Sequence, residues 1–277
     1  MSLLIEPAAL HDLLESGSVR VLDVRWSLGG PAGAPLHEAG HIPSAVYVDL
    51  ETELAGHGRP DDGRHPLPPV QSLQAAARRW GIRSGDTVVV YDDLGNLSAA
   101  RAWWLLRHAG LADVRLLDGG LRAWREAGLP LETGPVAPEA GDIELAYGSM
   151  PVLDLDGAGE QPERGVLLDA RAPERFRGEK EPVDPRAGHI PGARNAPAAA
   201  NLDDAGRFLP PETLRARFAE LGVDSDTSVA VYCGSGVTAA ADVAALELAG
   251  IRAALYPGSW SQWSNHAERP VETGAAR

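Results

Sequence analysis

Cys233 is the only cysteine in 277 residues, and its surroundings point to nucleophilic chemistry. In Val229-Ala-Val-Tyr-Cys233-Gly-Ser-Gly-Val-Thr238, four apolar or aromatic residues read as a short buried strand that stops at the cysteine. Two glycines and two hydroxyl residues follow, and the Ala-rich run 239–249 then reads as a helix. A strand, a tight loop and a helix N-terminus set a side chain at the carboxyl end of a parallel sheet, where open α/β folds bind ligands. The loop N–H groups and the positive helix end favour an anion, the form a nucleophilic thiol must take. Gly234 and Gly236 allow a tight loop with converging N–H groups. The bland alternative is a small buried thiol without chemistry, the common state of lone cysteines. The loop context favours the nucleophile.

The elements that position this loop occur twice. Val21-Leu-Asp-Val-Arg25 returns as Leu167-Leu-Asp-Ala-Arg171, and Ala39-Gly-His-Ile-Pro43 as Ala187-Gly-His-Ile-Pro191. Val88-Val-Val-Tyr-Asp92 returns as Val229-Ala-Val-Tyr-Cys233, and Ala109-Gly-Leu111 as Ala249-Gly-Ile251. Leu117-Asp-Gly-Gly-Leu-Arg-Ala-Trp124 is answered by Tyr256-Pro-Gly-Ser-Trp-Ser-Gln-Trp263. Five blocks in one order mean two homologous domains of ordinary size. We expect one domain over 1–130, a Gly/Pro-rich linker over 131–150 and a second domain over 151–277.

Within the first repeat the patterning predicts helices over 6–16, 70–80, 98–109 and 120–127. It predicts strands over 20–24, 45–48, 87–91 and 113–117. The second repeat predicts strands over 166–170, 228–232 and 252–256, and helices near 154–161 and over 211–221 and 237–249. Short β-branched strands alternating with helices imply an α/β fold with a mostly parallel sheet flanked by helices in each domain. His37 and His41 have metal-like spacing, but Gly40 and Pro43 argue against a helix there, so no metal site is expected.

Composition narrows the partners. Hydrophobic residues make up 44 % of the chain, enough for real cores. A formal charge of −14 argues against nucleic acid and anionic membranes, which need a basic surface. No apolar run approaches a membrane span. The opening Met-Ser-Leu-Leu-Ile-Glu-Pro has no basic region followed by an apolar core, so no signal peptide is expected. One cysteine excludes an intramolecular disulfide and fits a reducing cytoplasm.

Paired Leu-Asp-x-Arg, paired Gly-His-Ile-Pro and Val-Tyr-Cys-Gly-Ser-Gly-Val-Thr-Ala together resemble the two-domain rhodanese-type sulfurtransferases, over about residues 3–270. The resemblance implies tandem rhodanese-like domains with the catalytic cysteine only in the second, which matches Asp92 in the first. Loop chemistry further resembles the 3-mercaptopyruvate group, whose Cys-Gly-Ser-Gly-Val-Thr contrasts with the Cys-Arg-Lys-Gly-Val-Thr of thiosulfate enzymes. The resemblance makes Cys233 the nucleophile and Arg175 and Arg186 the carboxylate-binding arginines, with Arg177 as an alternative. It makes Ser235, His65 and an acid a proton-handling group, the acid being Glu51 or Asp49. Loop N–H groups from Gly234 and Gly236 to Val237 and Thr238 are to cradle the transferred sulfur. His41 and His189, present in both repeats, read as turn residues.

The implied activity is transfer of sulfane sulfur from 3-mercaptopyruvate, through a Cys233 persulfide, to a thiol or cyanide, with release of pyruvate. The thiol acceptor is expected to be a small thiol or a thioredoxin-like protein, and no cofactor is expected. The site is expected between residues 49–65 of one repeat and 175–238 of the other. Thiosulfate sulfurtransferase is the alternative, and a non-catalytic rhodanese-like binding module a remote one. Cysteine phosphatases on the same fold need Cys-x5-Arg, and Ala239 stands where that arginine belongs.

Overall fold

The run Thr87–Tyr91 is too apolar for a sheet with one wet face, and it and Val19–Asp23 become interior strands of a parallel sheet. The computed structural model describes residues 2–17 and 19–275. The chain forms two compact units. The first contains the chain up to Gly56, Pro68–Met150 and Leu202–Phe208. The second contains His57–Leu67, Pro151–Asn201 and the chain from Leu209 onward. Each unit therefore includes a short segment from the other half of the sequence.

The first unit holds β1 (Leu4–Ile5), β2 (Val19–Asp23), β3 (Val46–Tyr47), β4 (Thr87–Tyr91) and β5 (Val114–Leu117). They pair in the order β1-β5-β4-β2-β3, every pair parallel. The helices are α1 (Pro7–Ser16), α2 (Gly33–Ala39), α3 (Leu50–Glu53), α4 (Val70–Arg79), α5 (Ala99–His108) and α6 (Gly120–Glu126). Trp124 of α6 packs with Ile5, Val21, Val89 and Tyr91 in a buried cluster on the sheet.

The second unit repeats the plan with β6 (Val166–Asp169), β7 (Arg194–Asn195), β8 (Val229–Tyr232) and β9 (Ala253–Leu255), in the parallel order β7-β6-β8-β9. Its helices are α7 (Leu155–Arg164), α8 (Pro173–Phe176), α9 (Pro211–Glu220), α10 (Ala239–Leu248) and α11 (Ser259–Asn265). Trp260 and Trp263 of α11 pack on Leu167, Ile190 and Tyr232. Helix α10 is buried nearly all round, which its alanines permit by adding little bulk.

The repeated motifs build one buried network in each unit. Register sets Asp23 beside Tyr91 and Asp169 beside Tyr232. Asp23 accepts from Arg25 Nη2 at 2.6 Å, and that nitrogen also reaches Gly40 O at 3.0 Å. Asp169 accepts from Arg171 Nη2 at 2.6 Å, which reaches Gly188 O at 2.7 Å. The Gly-His-Ile-Pro turn is thereby tied to the strand end that precedes Asp92 or Cys233. His41 and His189 bond through Nδ1 to His37 O and Phe176 O, each at 2.8 Å, so both serve the turn.

Two expectations need correction. Residues 33–39 are helical, because Gly40 and Pro43 fall after the last turn and end α2 rather than prevent it. His37 lies in that helix, stacked on His41 with ring centroids 3.9 Å apart. Residues 131–150 lack regular structure but are not a free linker. Their backbone bonds into the first unit, Glu132 N to His41 O at 2.9 Å and Gly141 N to Arg78 O at 2.8 Å among others. Among the described residues no helix is long and apolar enough to cross a membrane.

Candidate active site

Strand β8 delivers Cys233 to the carboxyl end of the second sheet, and the loop 233–238 leads into α10. The loop is held from outside by its carbonyls. Trp260 N donates to Cys233 O at 2.9 Å and Ser261 N to Gly234 O at 2.8 Å. Cys233 N donates to Ser259 Oγ at 3.1 Å. With the carbonyls turned toward α11, the loop N–H groups are left for other uses. Gly236 N donates to Cys233 Sγ at 3.1 Å. Among the described residues, the N–H groups of Gly234, Ser235, Val237 and Thr238 have no protein acceptor. Cys233 itself is 3 % exposed. This is an anion cradle around a thiol, at the start of a ten-residue helix.

The first unit has a corresponding loop, one residue longer, with the cradle filled. Asp92 Oδ1 accepts from Leu94 N and Asn96 N, both at 2.8 Å. Asp92 Oδ2 accepts from Ser98 N at 2.7 Å and Ala99 N at 2.9 Å. Leu121 N donates to Asp92 O at 2.8 Å, as Trp260 N does to Cys233 O. A side-chain carboxylate thus occupies the donors that the cysteine loop leaves open.

His65 lies in the second unit, since residues 57–67 pack there. Its Nδ1 is 2.8 Å from Ser235 Oγ, and both residues are buried. The backbone beside it is anchored by Arg64 N, which donates to Ser261 Oγ at 3.0 Å. Glu51 and Asp49 lie in the first unit. Glu51, on α3, accepts from Trp26 Nε1 at 3.2 Å. Asp49 caps that helix, accepting from Glu51 N at 2.9 Å and Thr52 N at 3.1 Å.

The arginines divide sharply. A Cβ built on Gly234 would lie 3.3 Å from Arg175 Nη1 and 3.1 Å from Arg64 Nη2. Arg175 Nη2 bonds Glu181 at 2.7 Å and Asp184 at 3.3 Å. Arg64 Nη1 pairs with Asp184. Burial pushes the Asp184 carboxyl up, against the pull of Arg64 and Arg175. Arg177 is turned outward and paired twice with Glu179 at 2.7 Å.

The carboxylate-binding expectation for Arg186 is revised, because all three of its guanidinium nitrogens are bonded to backbone carbonyls. Nε reaches Ser264 O at 2.9 Å, Nη1 reaches Arg269 O at 2.8 Å, and Nη2 reaches Trp263 O at 2.8 Å and His266 O at 2.6 Å. Arg186 therefore caps the C-terminal end of α11, whose unpaired carbonyls attract a cation. Arg186→Met is expected to lower stability by about 2 kcal/mol, read as an earlier melting transition. An unchanged melting temperature would contradict the capping role. Arg64 went unnoticed in the sequence, although it adjoins His65 in Gly-Arg-His-Pro-Leu.

Among the described residues no three His, Cys, Asp or Glu side chains converge as metal ligands would. The rhodanese-like domain pattern matches residues 6–127 and 154–266. The chain belongs to the rhodanese family. It is an enzyme of the sulfurtransferase kind, as its relatives' names agree. A Mycobacterium tuberculosis (strain H37Rv) protein, SseB, provisionally named a thiosulfate sulfurtransferase, is 51 % identical over 280 residues, covering 99 % of this chain and 98 % of that protein. A Pseudomonas aeruginosa protein named a probable 3-mercaptopyruvate sulfurtransferase is 48 % identical over 271 residues, covering 94 % of each. The crystal structure of Escherichia coli SseA, a 3-mercaptopyruvate sulfurtransferase, superposes with a TM-score of 0.84 at 32 % identity, covering 94 % of this chain and 99 % of that one.

Proposed function

We propose that this rhodanese-family enzyme takes sulfur from 3-mercaptopyruvate, holds it as a persulfide on Cys233 and passes it to a thiol or to cyanide. The Cys233 thiolate attacks the donor's sulfur, the C–S bond breaks, and its electrons leave as the enolate of pyruvate. The thiol proton ends on the methyl carbon of pyruvate, and Cys233 carries the persulfide anion. Ser235, bonded to His65, moves that proton. Arg175 holds the carboxylate. The loop N–H groups without protein acceptors stabilise charge on the outer sulfur. An acceptor thiolate, of a small molecule or a thioredoxin-like protein, then attacks that sulfur. The S–S bond breaks and Cys233 returns as thiolate.

The observation that carries the donor is the bond between Ser235 and His65. Mercaptopyruvate requires a proton to travel from sulfur to carbon, whereas thiosulfate has none to move. The charge balance agrees. Arg64 and Arg175 face Asp184 and Glu181, Glu181 also pairs with Arg171, and Arg171 pairs with Asp169, so the three cations and three carboxylates balance and the cluster suits a monoanion better than a compact dianion. Thiosulfate is the second reading, favoured by two guanidinium groups against Gly234 and by the name of the M. tuberculosis relative.

The test is intact mass after incubation with each donor. Mercaptopyruvate is expected to add one sulfur to Cys233 and release one pyruvate, with no adduct in Cys233→Ser. Absence of a cysteine-dependent adduct from either donor would end the sulfur-transfer reading. Ser235→Ala is expected to slow the mercaptopyruvate half-reaction by about 10²-fold and the thiosulfate half-reaction far less. Equal losses on the two donors would remove the proton-transfer role.

A further inference from the structure

Residues 57–66 run His-Gly-Arg-Pro-Asp-Asp-Gly-Arg-His-Pro, where the two prolines are the only apolar side chains. The segment nevertheless packs with the second unit, and Gly63 and His65 are buried there. Polar bonds rather than buried apolar area hold it, which puts it at the low end of local stability. At one end His65 Nδ1 is 2.8 Å from Ser235 Oγ, and Arg64 N donates to Ser261 Oγ at 3.0 Å. A Cβ on Gly63 would lie 2.9 Å from Gly258 O, so the backbone closes directly onto the start of α11. The other end is a 3₁₀ turn, Pro60–Asp62, with its own bracing. Arg59 N donates to Asp62 Oδ2 at 2.8 Å, and Asp62 N to Arg59 O at 2.9 Å.

That turn is tied to the far end of α11 by His266. The ring's Nε2 lies 3.1 Å from Asp61 O and its Nδ1 3.0 Å from Glu268 Oε1. A carbonyl oxygen can only accept, and so can a carboxylate. Its own backbone N–H and the His266 ring hold the Glu268 carboxyl below its ordinary value, so Glu268 stands as the carboxylate. Both ring nitrogens then carry hydrogen, and the ring that fits this geometry is the imidazolium.

We propose that residues 57–67 are a strap across the cysteine loop, latched by protonated His266, and that the strap opens when His266 gives up its proton. A neutral ring keeps one N–H. The bond to Glu268 is charge-assisted and roughly twice as strong as one to a neutral carbonyl, so the hydrogen stays on Nδ1. Nε2 then turns a lone pair to Asp61 O, and the braced turn is released as one piece. The other charged groups around the ring are already engaged. The Asp61 carboxylate accepts from Arg59 Nε at 2.9 Å, Arg186 bonds His266 O, and Arg269 pairs with Asp156. None of them replaces the lost bond.

The strap touches the residue after next to the nucleophile, and Cys233 is itself buried. Opening admits a bulky thiol and withdraws His65 from Ser235 in the same motion. A closed strap suits the step in which a small donor is held, and an open one the step in which a larger acceptor enters. That use rests on the sulfur-transfer reading above; the latch rests on geometry alone.

Opening and access are measured separately. Amide hydrogen exchange of peptides covering 57–67, corrected for intrinsic rates, reports opening at about pH 6 and about pH 8.5, either side of the range in which imidazoles titrate. Access is the labelling rate of the single cysteine by pyrenylmaleimide over that by methylmaleimide, each divided by its rate with glutathione. The thiolate fraction cancels in that ratio. In the wild type, protection is expected to fall by about tenfold at the higher pH and the labelling ratio to rise by a similar factor. His266→Gln, whose amide donates without titrating, is expected to stay closed at both pH values, and His266→Phe to be open at both. Wild-type protection that ignores pH, or His266→Phe protected within about twofold of wild type at the lower pH, would overturn the latch. Protection that follows His266 while the labelling ratio does not would overturn the strap as a cover. If both follow His266 but no donor yields a persulfide, the strap stands and the sulfur-transfer reading falls.

Discussion

Replacing Gly236 by alanine is expected to suppress sulfur transfer nearly as completely as replacing Cys233. Gly236 has φ +77°, a region where alanine costs about 1–2 kcal/mol. The larger obstacle is contact, since a Cβ there would lie 2.4 Å from Pro257 O and 2.9 Å from Pro257 Cα. Neither atom can step aside, because Pro257 follows Tyr256, whose N–H bonds Val231 O at 2.9 Å across the sheet. The loop cannot move as a body either, held as it is by Trp260 N and Ser261 N on the carbonyls of Cys233 and Gly234. Relief must come from rotating the peptide units of 235–237, which turns their N–H groups off the sulfur. The bond from Gly236 N to Cys233 Sγ, 3.1 Å, is the first to go. Pyruvate release is expected to fall by about 10³-fold, the scale of losing preorganised donors to a developing anion. The assay is single-turnover persulfide formation followed by mass. An alanine variant that retained a tenth of wild-type turnover would show that the cradle is not what drives the chemistry.

How much of this could be read from the sequence depends on how far each residue's partners lie along the chain. Leu-Asp-x-Arg, Gly-His-Ile-Pro and the Val-x-Val-Tyr strand repeat because each set forms one buried network, and a buried polar group missing a partner is costly. The cysteine loop was legible for a similar reason, its glycines and the helix that follows being local features. Arg186 and Arg64 were not. Both are arginines in irregular segments, and nothing local says which guanidinium will find carbonyls. Arg186 meets the chain at 263–269, and Arg64 reaches Gly234 because residues 57–67 pack with the second half. The short elements α2, α3, α8, β3 and β7 lie near the limit of periodicity, spanning two to seven residues. Only β3 of these showed in the pattern. The hydrogen bond from His65 to Ser235 spans 170 residues, so only the family resemblance raised it beforehand.

Asp92→Ala is expected to destabilise the first unit more than any other single loss of a side chain at the two loops. Asp92 is completely buried and satisfies four backbone N–H groups at 2.7–2.9 Å. Burial pushes its carboxyl up despite those four donors, so the group is costly to bury as well as needed where it lies. Alanine removes the acceptor and leaves the donors aimed at one small cavity. Even with a water admitted, the loss is expected to be about 3 kcal/mol or more, a fall of roughly 6–12 °C in the first unit's melting transition. Asp92→Asn keeps one acceptor oxygen but turns an amide toward the other two donors, and is expected to recover less than half of the loss. The comparison with Cys233→Ala is the informative part. That change removes a thiol accepting one N–H bond, and its cost is expected to stay near 1 kcal/mol. A cradle holding its own carboxylate is a structural knot, whereas one whose donors lack a protein acceptor fits the proposed role of holding a sulfur anion. The first loop is also one residue longer before its helix begins, which gives Asp92 room to fold back onto its own backbone. If Asp92→Ala and Cys233→Ala melted alike, the two loops would not differ in this way, and the proposal that chemistry is confined to the second unit would lose this support.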